Sequence, residues 1–135
     1  MQNMSPGKSA LGLDANVVAG LCYVGNLVCY LGLILSIVTV VTDKTNKLAR
    51  FHAFQSIFLS VMGLVLGVCY MFVGAVGAML DQAIGYPIFS LLLWLLILVI
   101  FLVLFIGVII AAIKGFQGQI FKLPIIGNFA DKYSG

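Results

Sequence analysis

The stretch Leu91-Leu-Leu-Trp-Leu-Leu-Ile-Leu-Val-Ile-Phe-Leu-Val-Leu-Phe-Ile106 contains only Leu, Ile, Val, Phe and one Trp. It sits inside an apolar run from Ile88 to Ile113, longer than the ~20 residues a helix needs to cross the ~30 Å hydrocarbon core of a bilayer. A helix apolar on every side has no face to offer water, so it belongs against lipid or a partner subunit. Two further runs, Ala15 to Val41 and Phe51 to Leu80, meet the same length requirement. The pattern predicts an all-α integral membrane protein with three transmembrane helices, about 15–41, 51–80 and 88–113, in a single domain spanning 1–135.

Composition agrees, since 63% of residues are hydrophobic and 8% charged, whereas soluble domains carry roughly 25% charged residues. Six of the seven basic residues (Lys44, Lys47, Arg50, Lys114, Lys122 and Lys132) fall in the connection before the second run and in the tail after the third. With three crossings these segments share one face, and Lys/Arg excess marks it as cytoplasmic. The N-terminus, with only Lys8, is then expected outside and the C-terminus inside, as for a multi-pass protein of the plasma membrane. The net charge of +3 reports this orientation and contact with the lipid bilayer, not a nucleic-acid partner. The first run is too long for a signal core and lacks a small-x-small cleavage site, so it is expected to stay; Leu21 before Cys22 argues against a lipoprotein.

Counting 100° per residue, Ala15, Ala19, Cys22, Gly25, Asn26, Cys29, Gly32 and Ser36 share one small, weakly polar face of the first helix, with Asp14 as N-cap. In the second, His52, Gln55, Ser56, Ser60, Gly63, Gly67, Tyr70, Gly74 and Gly77 form a similar stripe opposite Phe54, Phe58, Val65 and Phe72. Small faces let helices approach closely in lipid, so the two are expected to pack through Ala19, Asn26 and Gly32 against Ser60, Gly63, Gly67 and Tyr70. Asn26 needs a partner in hydrocarbon, and Tyr70 or a carbonyl near Gly67 lies at matching depth. Pro87 suits the first turn of the third helix, after an external turn over 81–86.

No catalytic or metal-ligating constellation is visible. His52 is the single histidine and the one candidate for a cofactor or pigment ligand, the cofactor itself being unspecified; its plainer role is to hydrogen-bond at a helix end. Asp81 is about 43 Å along the same helix and cannot join it, whereas Asp43 and Asp131 lie on its side and are open to ion pairs with it or with Arg50. Cys22 and Cys29 are about 10 Å apart along one helix, too far for a disulfide or shared metal. The tail, broken by Gly115, Gly118, Pro124 and Gly127, is too short to span yet rich in apolar residues, which predicts an interfacial segment along the cytoplasmic surface. It is expected to dock on the start of the second helix as one interfacial motif of Arg50, His52, Gln55, Leu123, Pro124 and Gly127. In that docking His52 or Gln55 would bond backbone freed at Pro124 and Gly127, and Ile125 and Ile126 would cover Phe51 or Phe54.

Two stretches, Arg50-Phe-His-Ala-Phe-Gln-Ser56 and Gln117-Gly-Gln-Ile-Phe-Lys-Leu-Pro-Ile-Ile-Gly-Asn-Phe-Ala-Asp-Lys132, resemble a family of small bacterial membrane proteins similar to the Tic-twenty chloroplast import component. The resemblance implies a helical membrane fold and an association with protein transport, although the plant members have four spans. From the residues themselves the expected function is non-catalytic, an accessory or structural subunit of a larger membrane complex alongside other membrane proteins. The alternative is a component of a translocation or transport channel, which would require oligomers or partners because three helices cannot enclose an aqueous pore.

Overall fold

The computed structural model describes residues 7–28 and 30–135, among which five helices are formed: α1 Ala15–Leu27, α2 Leu31–Thr42, α3 Lys47–Ile84, α4 Ile88–Phe116 and α5 Ile126–Ser134. Two of them, α3 with 38 residues and α4 with 29, are long and apolar enough to cross a membrane. Each begins or ends a few residues beyond its expected limits of 51–80 and 88–113.

The helix expected over 15–41 is instead two short helices folded into a hairpin. With 13 and 12 residues, α1 and α2 reach only about 20 and 18 Å, well short of the ~30 Å core. The reversal is made by the Val28 N–H donating to Gly25 O, the Leu31 N–H donating to Val28 O (3.1 Å each), and Tyr30 in the left-handed region at φ 58°. Backbone closeness explains the glycines. A Cβ on Gly25 would stand 2.6 Å from the Gly32 nitrogen, and one on Gly32 would overlap the Cys22 carbonyl oxygen. Gly25 and Gly32, predicted to receive a second long helix, therefore receive each other, whereas Ala15, Cys22 and Asn26 do face α3. Cys29 lies outside the described residues, and Asp14 occupies the N-cap position without a side-chain capping bond.

Contacts divide the chain into two compact units, Met1–Val61 with Gly107–Gly135, and Met62–Ile106. In the first, Ala15, Val18 and Cys22 of α1 pack on Leu48, Ala49 and Ala53 of α3, with Leu11, Leu35, Val40 and Ile120 around them. The end of α4 presses on α1, since a Cβ on Gly115 would lie 3.1 Å from the backbone of Ala19 and Gly20. Such close packing, with interhelical hydrogen bonds, is the main source of helix association where lipid removes the hydrophobic driving force.

The second unit is a two-helix hairpin turned at Gly85, whose φ of 78° suits a residue without a Cβ. Asp81 locks the turn, its carboxylate oxygens accepting the N–H groups of Phe89 (2.8 Å) and Ser90 (2.9 Å) at the start of α4. Pro87 stands just before α4, its carbonyl accepting the Leu91 N–H at 3.2 Å. Only Gly77 and Asp81 are buried in this unit. Gly63 and Gly67, expected at a tight contact with the first helix, have open space where a Cβ would stand; together with Tyr70 they line an apolar groove between α3 and α4.

Candidate functional site

Three buried side chains of the first unit, Tyr23, His52 and Gln55, form a closed hydrogen-bonded circuit with the backbone after α4. Tyr23 of α1 and His52 and Gln55 of α3 are fully buried, one helical turn separating the last two so that both face the chain after α4. His52 Nε2 lies 3.1 Å from the carbonyl oxygen of Gln119, which can only accept, so Nε2 carries the proton. Nδ1 then accepts the Tyr23 hydroxyl at 2.9 Å. Gln55 Nε2 donates to Tyr23 Oη (3.0 Å) and to Phe121 O (3.1 Å), while its Oε1 accepts the Leu123 N–H at 3.3 Å. The imidazole is held edge-on to Tyr23 and Phe51, with ring centroids 5.6 and 5.2 Å away. Both imidazole nitrogens and both ends of the Gln55 amide are occupied, which fixes one tautomer and ties α1, α3 and the tail into one unit. Every lone pair a ligand would need on His52 is in use.

A second polar contact lies farther along α1. Asn26 Nδ2 donates to the hydroxyls of Ser56 (2.8 Å) and Ser60 (3.0 Å), which donate in turn to Cys22 O and Ser56 O. The expected partners of Asn26, Tyr70 or a carbonyl near Gly67, are replaced because the fold of α1 places Asn26 beside the first turns of α3. Tyr23 escaped the sequence reading, although a tyrosine three residues before Asn26 and four after Ala19 shares their face and needs a partner for its hydroxyl.

At the polar end, the Asp43 carboxylate accepts N–H groups from Asn46 (2.9 Å), Thr45 (3.2 Å) and Ala10 (3.0 Å). Burial alone would raise its pKa, but these donors outweigh burial and hold it below the usual carboxylate value. Arg50 donates to the carbonyls of Asp43 (3.1 Å) and Ser134 (3.2 Å) and lies over the Phe54 ring. Asp131 pairs with Lys122 at 2.8 Å rather than with His52, and that hydrogen bond lowers its pKa. The tail backbone bonds His52 and Gln55 at Gln119, Phe121 and Leu123, not at Pro124 and Gly127. There the chain satisfies itself, the Ile126 N–H donating to Pro124 O and the Gly127 N–H to Leu123 O (2.8 Å each). Ile126 is buried, but Ile125 is 76% exposed, and it is Tyr133 of α5 that lies against Phe54, at 6.3 Å.

This is the architecture of a small helical membrane protein whose buried polar side chains hold helices and tail together. The chain belongs to the magnetosome magnetite crystal formation protein family, whose model matches residues 14–130. It is similar to a UPF0132 membrane protein of Methanocaldococcus jannaschii, 34% identical over 128 residues that cover 95% of this chain and 96% of that one. A second from the same organism is 28% identical over 125 residues, covering 92% and 73% of the two chains. One from Archaeoglobus fulgidus is 28% identical over 123 residues, covering 91% and 98%. These matches overturn the Tic-twenty resemblance and the protein-transport role it implied: they run nearly the whole length of the chain, and none points to that family. No solved structure matches.

Proposed function

We propose that the protein is a non-catalytic, multi-pass protein of the cell membrane that serves as an accessory or structural subunit of a larger membrane assembly. The observation that carries this reading is the hairpin of Met62–Ile106, apolar and exposed along both helices with only Gly77 and Asp81 buried. Lipid or a partner's helices must cover such a surface. The closed circuit at His52 supports the same view, since its side chains are committed to holding the fold. The family is named for magnetosome magnetite crystal formation, and a supporting role in the membrane is the role this chain's residues fit. Among the described residues no three His, Cys, Asp or Glu converge, and the carboxylates of Asp43, Asp81 and Asp131 are bonded within the protein.

The fold of the first apolar run also favours a topology of two crossings, α3 and α4, with α1 and α2 as a re-entrant hairpin. The start of this hairpin is tied to its end by the Ala10 N–H on Asp43, which supports residues 7–10 lying on the same face as the 43–46 connection, the face proposed here as cytoplasmic. It differs from the N-terminus-out arrangement that three spans would give. In a cysteine-free background, a cysteine at Ala10 or Thr45 is expected to be shielded from impermeant maleimide in intact cells and one at Gln82 to react. Labelling at Ala10 would reject the topology. For the subunit reading, purification in mild detergent with mass spectrometry should yield a stoichiometric membrane partner that Gly67→Leu displaces without unfolding the protein; a monomer without companions would reject it.

A further inference from the structure

All seven basic residues belong to the first unit, against three acidic ones, Asp14, Asp43 and Asp131; the second unit carries only Asp81. The hairpin of α1 and α2 brings Lys8 into this set, because Ala10 bonds Asp43 and a Cβ on Gly7 would lie 3.3 Å from Asn46 Nδ2, beside Lys44 and Lys47. Asp131 is neutralised by Lys122 and has Lys47 nearby as a further cation. Among the described residues, the side chains of Lys8, Lys44, Lys47 and Lys132 make no hydrogen bond or ion pair, and all but the half-buried Lys47 are exposed. The same unit presents apolar anchors. Phe129 and Tyr133 of α5 are each 53% exposed while touching Phe58. Ile125 stands at φ 67° and ψ −61°, a backbone conformation that is strained for a β-branched residue, with its side chain turned outward.

We infer that this face binds acidic phospholipid headgroups, with the lysines on the phosphates and Ile125, Phe129 and Tyr133 seated among the acyl chains beneath. Cations without a side-chain partner among the described residues, carried by the same unit as exposed aromatic and aliphatic side chains on and just before a short amphipathic helix, match a negatively charged bilayer surface in both charge and polarity. A soluble anion would use only the lysines and would leave the apolar groups in water. The inference rests on the two-crossing topology only for the place of Lys8.

The test uses the full chain in a neutral detergent, titrated with phosphatidylglycerol, with phosphatidylcholine of the same acyl chains, or with inorganic phosphate, and read by thermal melting and native mass spectrometry. Phosphatidylglycerol is expected to bind about tenfold more tightly than phosphatidylcholine and to raise the melting temperature, an effect that falls as salt is added. Most of that preference should vanish in the combined variant Lys44→Gln, Lys47→Gln, Lys132→Gln, whose lipid-free melting temperature should stay near that of the parent. Ile125→Ser should weaken both lipids alike. Equal shifts from the two lipids, a preference that survives the triple variant, or the same shift from inorganic phosphate would each overturn the inference. Maleimide labelling at Ala10 reports the topology separately: if Ala10 lies outside and the lysine-dependent preference remains, the topology fails and the lipid face stands without Lys8.

Discussion

The two units of this chain solve the problem of living in lipid in opposite ways. The unit formed by 1–61 and 107–135 buries polar side chains, Tyr23, His52, Gln55, Ser36, Thr39 and Asp43 among them, and hydrogen-bonds each of these six. The hairpin of 62–106 buries almost nothing and, apart from its polar turn around Asp81, Gln82 and Ser90, presents mostly apolar surface. In a bilayer core an unsatisfied polar group costs several kcal/mol, so a buried polar network dictates one arrangement, whereas an apolar surface accepts any apolar neighbour. The first unit is thus specified by its own residues. The second is left for its surroundings to complete.

The sharpest way to break this contrast is to add bulk to each unit in turn. Gly32→Leu forces a side chain into backbone of α1, where no rotamer change gives relief, and is expected to cost about 3 kcal/mol or more, abolishing a cooperative melt in detergent. Gly67→Leu meets open space and should leave the melt of the isolated protein nearly unchanged. Similar losses from both substitutions would mean that the hairpin is as tightly specified as the rest.

Cutting the polar circuit comes next in size. His52→Ala leaves the Gln119 carbonyl without its donor and the Tyr23 O–H without an acceptor, although Gln55 still donates to the Tyr23 oxygen; at roughly 1–3 kcal/mol for each of the two groups the expected loss is about 2–6 kcal/mol. Because Tyr23 and His52 bond directly, a cycle combining His52→Ala with Tyr23→Phe should show coupling of at least about 0.5 kcal/mol. His52→Ala with Ile125→Ala should be additive, since Ile125 points outward. Limited proteolysis of the tail should accelerate in Gln55→Ala, which loses its bonds to Phe121 and Leu123.

How far the sequence foretold these regions follows the same contrast. The long helices α3 and α4 were readable from length and hydropathy because an uninterrupted apolar run has few other ways to satisfy its backbone. A meeting of His52 and Gln55 with the tail was readable too, since polar groups at a helix end and a broken apolar tail both need partners. The break at 28–30 was not: it carries no proline or charge, and it depends on Gly25 facing Gly32, a contact between residues that the 100° periodicity of one continuous helix places side by side rather than opposed. Once that helix folds on itself, the depth of every residue on it changes, which is why Asn26 meets Ser56 and Ser60 instead of Tyr70.

Acid should test the polar end of the first unit. The folded Asp43 carboxylate titrates below its ordinary value, so its contribution is fully present above that ordinary value and is lost as pH falls through the depressed one. Melting temperature is therefore expected to hold from neutrality down through the ordinary carboxylate range and drop below it. Asp43→Ala, expected to cost about 1–3 kcal/mol at neutral pH through lost bonds to Ala10, Thr45 and Asn46, should flatten that acid limb. An unchanged limb in the variant would assign the acid sensitivity elsewhere.

The smallest expected effect concerns the ion pair of Lys122 and Asp131, which holds α5 to the segment before it at 2.8 Å. Both side chains are substantially exposed, at 48% and 37%, so water and salt screen the attraction and the pair should contribute no more than about 0.5–1 kcal/mol. Lys122→Ala is expected to lower the melting temperature by a degree or two at low salt and by less in high salt, where the parent has already lost most of the attraction. Asp131→Asn should do the same, and the double variant should lose no more than either single one, because removing one partner already ends the interaction. A loss comparable to that of His52→Ala would show that the tail is held from its exposed side as firmly as from its buried side. The division between a unit locked by buried polar bonds and a surface that is only trimmed by charge would then have to be redrawn through α5.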